Sequence, residues 1–203
     1  YGKPSSNKIS ETHNMKPISE YGKNKKEIEK FLYKLGKKKN FKSLSFRYFN
    51  AAGADESANI GENHYPETHL IPRILKSVRK NKLKVYVYGR NYKTKDGTCI
   101  RDFVHVNDIV RAHYYGLNQF TKEKCFKSYN IGSGKGYSVL EIIKAIEKIT
   151  KKKLNVVFKK KRPGDPPILI AKCEKIFNEL RWKPKYKNIE KILSTAWNWH
   201  KKN

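Results

Sequence analysis

Tyr21-Gly-Lys-Asn-Lys25-Lys-Glu-Ile28-Glu-Lys-Phe31-Leu32-Tyr-Lys-Leu35-Gly36, followed by Ser43-Leu-Ser-Phe-Arg-Tyr-Phe49, is the stretch from which the fold is read. Ile28, Phe31, Leu32 and Leu35 recur at spacings of three and four, the period of a helix, and Gly36 stands where a helix would stop. Residues 43–49 then read as a strand, and Asn50-Ala51-Ala52-Gly53 as a loop leaving its end. In open α/β sheets, ligands gather at such strand ends.

Working outward, the alternation continues. Residues 69–80 read as a helix with Pro72 tolerated in its first turn, and 83–88 as a short strand. Residues 108–117 read as a helix capped by Asn107 or Asp108, and 128–131 as a brief strand. Ser138 opens a further helix, with Glu141 completing a capping box and Val139, Ile142, Ile143, Ile146 and Ile149 forming its apolar face. Residues 154–158 read as a strand, and 173–180 and 189–200 as closing helices. Helices alternating with strands place the chain in the α/β class.

The formal net charge is +28, from 46 basic and 18 acidic residues. Such a balance raises nucleic acid or an anionic surface as a partner. Lysine, however, outnumbers arginine 38 to 8, whereas base and phosphate recognition favours arginine's rigid fork. The lysines are scattered over every element. Asparagine (17) and isoleucine (18) are also abundant and alanine (8) is scarce. Lysine, asparagine and isoleucine share A/T-rich codons, so coding composition accounts for the charge better than a specific nucleic-acid partner; attraction of a phosphorylated substrate is the second reading. No stretch approaches the roughly 18 apolar residues of a membrane span, and no signal peptide is visible. Cys99, Cys125 and Cys173 are far apart and odd in number, which indicates no disulfide framework and favours a reducing, cytoplasmic setting. His64 and His69 flank Pro66 without helical H-E-x-x-H spacing, so no metal site is expected. The chain opens at Tyr1 and its one methionine is Met15, so it reads as a piece lacking its natural beginning.

Tyr21 and Lys25, four apart on a helix, share one face. The ammonium then stands near the phenol, where a cation favours a phenolate able to take a proton from a sugar or alcohol hydroxyl. Two Tyr-x-x-x-Lys pairs occur, about what chance supplies, and the second, Tyr33 and Lys37, straddles Gly36 and is set aside. The plain alternative for the first is a solvated helix face. Gly132-Ser-Gly134-Lys-Gly136 lacks the spacing of a phosphate loop and reads as a tight strand-to-helix turn. Arg162-Pro-Gly-Asp165 offers a guanidinium for a diphosphate and a carboxylate for a sugar hydroxyl, or is a surface turn. Asp96-Gly-Thr-Cys-Ile-Arg101-Asp102-Phe-Val-His105-Val-Asn-Asp108 is dense in groups that bind or orient, Arg101 among them.

Tyr21-Gly-Lys-Asn-Lys25, Arg47-Tyr-Phe-Asn-Ala-Ala-Gly53, Ile60-Gly-Glu62 with Pro66-Glu-Thr-His-Leu-Ile-Pro72, the 96–108 stretch, Tyr129-Asn-Ile-Gly-Ser-Gly134 and Arg162-Pro-Gly-Asp165 occur in this order. Together they resemble the UDP-glucose 4-epimerase family of extended short-chain dehydrogenase/reductases over nearly the whole chain. The resemblance implies the remainder of a Rossmann-type parallel-sheet domain at 1–55 and a smaller α/β UDP-sugar-binding domain at 56–203, with about 103–133 returning to the first sheet. It implies NAD as cofactor and interconversion of UDP-glucose and UDP-galactose through a transient 4-keto sugar. Tyr21 would be the acid/base, Lys25 would hold the nicotinamide ribose, and Phe49 would lie against the cofactor. Asn50, Leu70, Tyr86, Tyr88, Arg101, Arg162 and Asp165 would line the UDP site. His69 stands where many members have asparagine, and Leu169 where a residue gates the sugar pocket, which leaves open whether N-acetylated sugars fit. The family pairs as homodimers through helices that include the one bearing Tyr21. Its glycine fingerprint for dinucleotides and its catalytic Ser/Thr do not occur in these residues, so the chain alone is expected to hold NAD poorly and to be inactive. A dehydratase or decarboxylase of the same superfamily, or a non-catalytic basic fragment supported by Lys151–Lys153 and Lys159–Lys161, are the alternatives.

Overall fold

The structure, a computed structural model, describes all residues except Lys3, Ser5, Lys39, Asn40 and 120–125, so Cys125 lies outside the described residues. Six helices and nine strands alternate among them. The strands β1 (Lys8–Ile9), β9 (Ile168–Ala171), β5 (Ile100–His105) and β3 (Asn50–Ala52) lie side by side in that order and run parallel. Along β5, β7 (Gly136–Ser138) runs antiparallel. Two parallel pairs complete the strand set: β2 (Ser43–Tyr48) with β6 (Phe126–Ile131), and β4 (Lys84–Tyr88) with β8 (Asn155–Lys159).

The α/β class is as the sequence indicates, but the run from Ser43 to Ala52 behaves differently from the expected strand and loop. The β2–β6 ladder extends to Phe49, whose N–H reaches the Ile131 carbonyl at 3.0 Å. At Asn50 the backbone changes partner and pairs with Phe103 of β5. Asn50-Ala51-Ala52 is therefore a strand and not a loop. A point at which the backbone leaves one neighbour for another opens a crevice beside it, the kind of place where α/β sheets bind ligands.

The helices α1 (Glu20–Lys38), α2 (Leu70–Arg79), α3 (Val106–Gln119), α4 (Val139–Thr150), α5 (Glu174–Leu180) and α6 (Ile189–Lys202) depart from the expected ranges at a few informative ends. α1 runs through Gly36 to Lys38. A single glycine costs a helix about 1 kcal/mol, too little to stop one already propagating. Asp108 does not cap α3; its buried carboxylate accepts the N–H groups of Lys185 (2.8 Å) and Tyr186 (2.9 Å). The capping box on α4 forms as expected, with Glu141 N–H donating to Ser138 Oγ and Ser138 N–H to the Glu141 carboxylate. Ile142, Ile143 and Ile146 then bury against α2, α6, β4 and β8 in the larger apolar cluster, through Leu75, Val78, Val85, Val87, Ile192 and Leu193. A second cluster joins β5, β6, α3 and α5 around Trp182, Tyr129, Ile131 and Ile176. Among the described residues no helix is long and apolar enough to cross a membrane.

Candidate active site

A cavity of about 1130 Å³ opens beside the partner switch, walled by the β2–β3 backbone, α2, β4, β5 and the turn at 162–165. Pockets for small ligands commonly hold about 300–1,000 Å³, so there is room for a nucleotide-sized molecule. Tyr21 stands at its edge in the first turn of α1 and is 72% exposed. Lys25 Nζ lies over the Tyr21 ring, 5.4 Å from its centroid, as the four-residue spacing requires. Tyr33 and Lys37 adopt the same arrangement at 4.7 Å, because α1 continues past Gly36. The ring–ammonium contact thus does not distinguish the two pairs. What distinguishes Tyr21 is its place on the cavity wall, which Tyr33 does not share.

Of the residues anticipated at the substrate site, Asn50, His69, Leu70, Tyr86, Tyr88, Arg101, Arg162 and Asp165 line this cavity, as does Phe49, anticipated against the cofactor. Lys25 does not, and reaches it only through Tyr21. Leu169 also does not; it sits on β9 directly beside Arg101. The two arginines are held in different ways. Arg101 donates to the Pro166 carbonyl at 2.8 Å and to the Asp165 carboxylate at 2.6 Å, and both charged side chains are largely covered. Asp165 is thus engaged with Arg101 and does not present a free carboxylate. Arg162 instead stacks its guanidinium 4.2 Å above the Tyr88 ring, and among the described residues no carboxylate pairs with it. Its charge faces the cavity without a counter-ion. Lys159 lies over the ring of Tyr86, a cavity-lining residue, at 5.1 Å, which adds positive potential there.

Asp102 is the residue that sequence reasoning passed over. It is fully buried behind the cavity, and its carboxylate accepts from Ser133 N–H (2.7 Å), Ser133 Oγ–H (2.6 Å), Gly134 N–H (3.0 Å) and Ala171 N–H (3.0 Å). Burial pushes the group above the usual carboxylate range even against these four donors. The Gly132–Gly134 turn is therefore a nest for an anion, and the anion is the chain's own Asp102, not a phosphate. A side chain at Gly132 would strike that carboxylate, with a Cβ 2.5 Å from Oδ2. The Asp102 carbonyl in turn accepts from Asn50 Nδ2 at 2.8 Å. One buried group thereby sets the positions of Asn50, of Arg101 beside it and of the β9 edge. The neighbouring Asp-Gly-Thr-Cys-Ile-Arg-Asp run was the only available signal, and nothing in it reveals a partner thirty residues away.

The UDP-glucose 4-epimerase of Halalkalibacterium halodurans is 40% identical over 203 residues, spanning all of this chain and 61% of that protein. The UDP-glucose 4-epimerase of Lacticaseibacillus casei is 42% identical over 200 residues, 98% of this chain and 60% of that protein. The chain thus spans about three-fifths of the length of these relatives. Among solved structures, a UDP-glucose 4-epimerase superposes with a TM-score of 0.94 at 40% identity, over the whole of this chain and 61% of that one. The Bifidobacterium longum UDP-glucose 4-epimerase in complex with NAD+ and UDP gives 0.92 at 34% identity, over the same shares. Residues 1–132 match the NAD dependent epimerase/dehydratase family, and the chain belongs to that family.

Proposed function

We propose that this chain forms the UDP-sugar-binding part of a UDP-glucose 4-epimerase. The observation that carries the reading is that Tyr21, with Lys25 over its ring, lines the same cavity as Arg101, Arg162, Tyr86 and Tyr88. The arginines suit a diphosphate, and the tyrosines of β4 offer an apolar slot for a base. Tyr21 is placed to take the proton of the sugar 4-hydroxyl and later to return it, while Lys25 keeps a cation beside the phenol. NAD supplies the hydride acceptor; Tyr21, Lys25 and Phe49 border the place where its nicotinamide would lie. Firm contacts to the nucleotide through the arginines, with weaker contacts to the sugar, would allow a 4-keto sugar to turn over before reduction on its other face. The 203 residues hold no glycine fingerprint for the dinucleotide, so by themselves they bind UDP-sugars without turning them over. We divide the chain functionally into a cofactor-side segment, 1–55, and a UDP-sugar segment, 56–203. Two copies would pair through the outer face of α1, where Ile28 and Phe31 are exposed, and the free thiols of Cys99 and Cys173 fit a reducing cytoplasm.

Calorimetric titration of this chain tests the reading. UDP-glucose and UDP-galactose should bind with similar affinity and ADP far more weakly; no saturable UDP binding at millimolar ligand would sink it. In an enzyme that also carries the NAD-binding segment, Tyr21→Phe should lower kcat by about 10²–10⁴-fold with little change in UDP-sugar affinity. Nuclear magnetic resonance of the product separates epimerisation, which gives the C4 epimer, from dehydration, which gives a 4-keto-6-deoxy sugar.

A further inference from the structure

Beside the cavity, the loop that leads into α2 gathers four metal-ligating side chains, of which only His69 was anticipated at the substrate site. Glu62, His64, Glu67 and His69 fall within eight residues of sequence and present one ligating atom each, all within 4.8 Å of one another. His64 Nδ1 lies 3.6 Å from Glu62 Oε1 and 3.5 Å from Glu67 Oε2. His69 Nδ1 lies 3.8 Å from Glu67 Oε1 and in direct hydrogen-bond contact with Glu62 Oε1. Both imidazoles therefore aim the same ring nitrogen at the same two carboxylates.

The spacing is informative. An ion bonded at about 2.1 Å to four tetrahedral ligands sets those ligands about 3.4 Å apart. Three of the four His–Glu separations, 3.5, 3.6 and 3.8 Å, lie close to that edge length, with Glu67 offering Oε2 to His64 and Oε1 to His69, so that one of its oxygens must turn to serve both. The fourth is a hydrogen bond that opens when the proton it uses gives way to an ion. Two neutral imidazoles and two carboxylates carry two negative charges, of which Glu67's is shared with Lys76 Nζ at 3.2 Å, so an entering divalent cation competes with that ammonium. The set of two nitrogens and two oxygens suits zinc and similar first-row ions, whereas magnesium and calcium call for oxygen alone. His64 and His69 are 44% and 62% exposed, so an ion can enter from solvent. The ligands are also braced: Glu67 Oε1 accepts the His69 N–H at 3.0 Å, and Lys76 Nζ holds Glu67 Oε2 at 3.2 Å. His64 sits in the loop and His69 at the N-terminal boundary of α2, so the loop and not a helical turn brings the two together.

We propose that Glu62, His64, Glu67 and His69 form a tetrahedral site for a zinc-class divalent cation, which ties the 62–67 loop to the start of α2. Glu62 and His69 also belong to the cavity wall, so the ion would stiffen that wall. The inference does not depend on the sugar-nucleotide reading. Untagged chain, freed of metal by chelator, should bind one Zn²⁺ by calorimetry and melt at a higher temperature with Zn²⁺ present. With Co²⁺ it should show the intense visible bands of a tetrahedral ion. His64→Ala/His69→Ala should weaken Zn²⁺ binding by at least the roughly 10–100-fold that loss of even an outer partner costs. Glu62→Gln, which preserves shape and hydrogen bonding, should weaken it as well. His113→Ala and Cys173→Ser, remote from the loop, should leave it unchanged. Failure of the folded parent chain to bind Zn²⁺, or equal binding by the double-histidine and Glu62→Gln variants, would show an ion-free His–Glu hydrogen-bond cluster and overturn the proposal.

Discussion

At the scale of single residues, the two arginines of the cavity illustrate how like groups acquire unlike roles. Arg101 is largely neutralised by Asp165 at 2.6 Å, so its attraction for a further anion is offset. Arg162 is steadied by the Tyr88 ring and keeps its charge for a ligand. Arg162→Ala should therefore weaken UDP binding to this chain by about 1.5–3 kcal/mol, the scale of a charged hydrogen bond. Arg162→Lys should recover only part of the loss, because an ammonium neither stacks flat on Tyr88 nor forks to two phosphate oxygens. Unchanged UDP affinity in the alanine variant would remove Arg162 from the site. Asp102 works from behind. Asp102→Asn replaces an acceptor with an amide N–H2 facing the Gly134 or Ala171 donors, and should cost about 1–3 kcal/mol in urea denaturation even though no ligand touches it. The sequence displayed both arginines as candidates. It could not display their difference, because Asp165 and Tyr88 become neighbours only when β4, β5 and the 162–165 turn come together.

At the scale of elements, α1 carries Tyr21 yet buries none of its residues. Its position comes from a polar tie. Glu29 accepts from Arg47 Nε at 2.9 Å and from Ser45 Oγ at 2.7 Å, and Arg47 also donates to the Tyr1 hydroxyl at 2.7 Å. Glu29 and Arg47 are only 13% and 14% exposed. Burial opposes ionisation of Glu29, but the Arg47 and Ser45 hydrogen bonds outweigh it and hold the carboxyl below the usual range. Removing one partner leaves a covered charge uncompensated, so Glu29→Ala should cost about 3 kcal/mol, whereas Glu29→Ala/Arg47→Met should cost less. An additive double-mutant cycle would exclude the coupling. The helices were the most legible elements, because an apolar period arises within each segment. The strands β1, β3, β5, β7 and β9 are not read from the sequence: all but β5 have four residues or fewer, and the six residues of β5 are a strand through their pairing with β3, β7 and β9.

At the scale of the whole molecule, two buried histidines join distant parts of the chain and make its stability depend on pH. His105 accepts the Asn107 N–H on Nδ1 at 3.1 Å and places Nε2 2.9 Å from Thr195 Oγ1. The Thr195 hydroxyl donates to the Ile192 carbonyl, so it accepts from His105, and the ring is satisfied only when neutral. Burial lowers the His105 value below 6.5, and burial with the Lys76 and Arg79 charges pushes His200 down to about 4. The folded values lie below the unfolded ones, so the unfolded chain binds protons first as pH falls. The neutral-histidine contribution is complete above about pH 6.5 and is lost as pH drops from there toward 4. The denaturation midpoint should fall between pH 7.5 and pH 5 and fall less in His105→Gln/His200→Gln; equal slopes in the two proteins would refute the linkage. Gly53 completes this joint, since a Cβ there would meet the His105 ring at 2.5 Å and its φ of +87° suits glycine. From the order of its residues alone, the chain determines its α/β alternation, the capped and periodic helices, and the stacking of Lys25 on Tyr21, because each rests on neighbours within about four positions. Tertiary structure alone decides the partner change at Asn50, the capture of Asp102 by Gly134, and the lining of one cavity by Tyr21, Arg101 and Arg162. These arrangements involve residues tens of positions apart, and only the packing of the whole core selects which distant groups share a site.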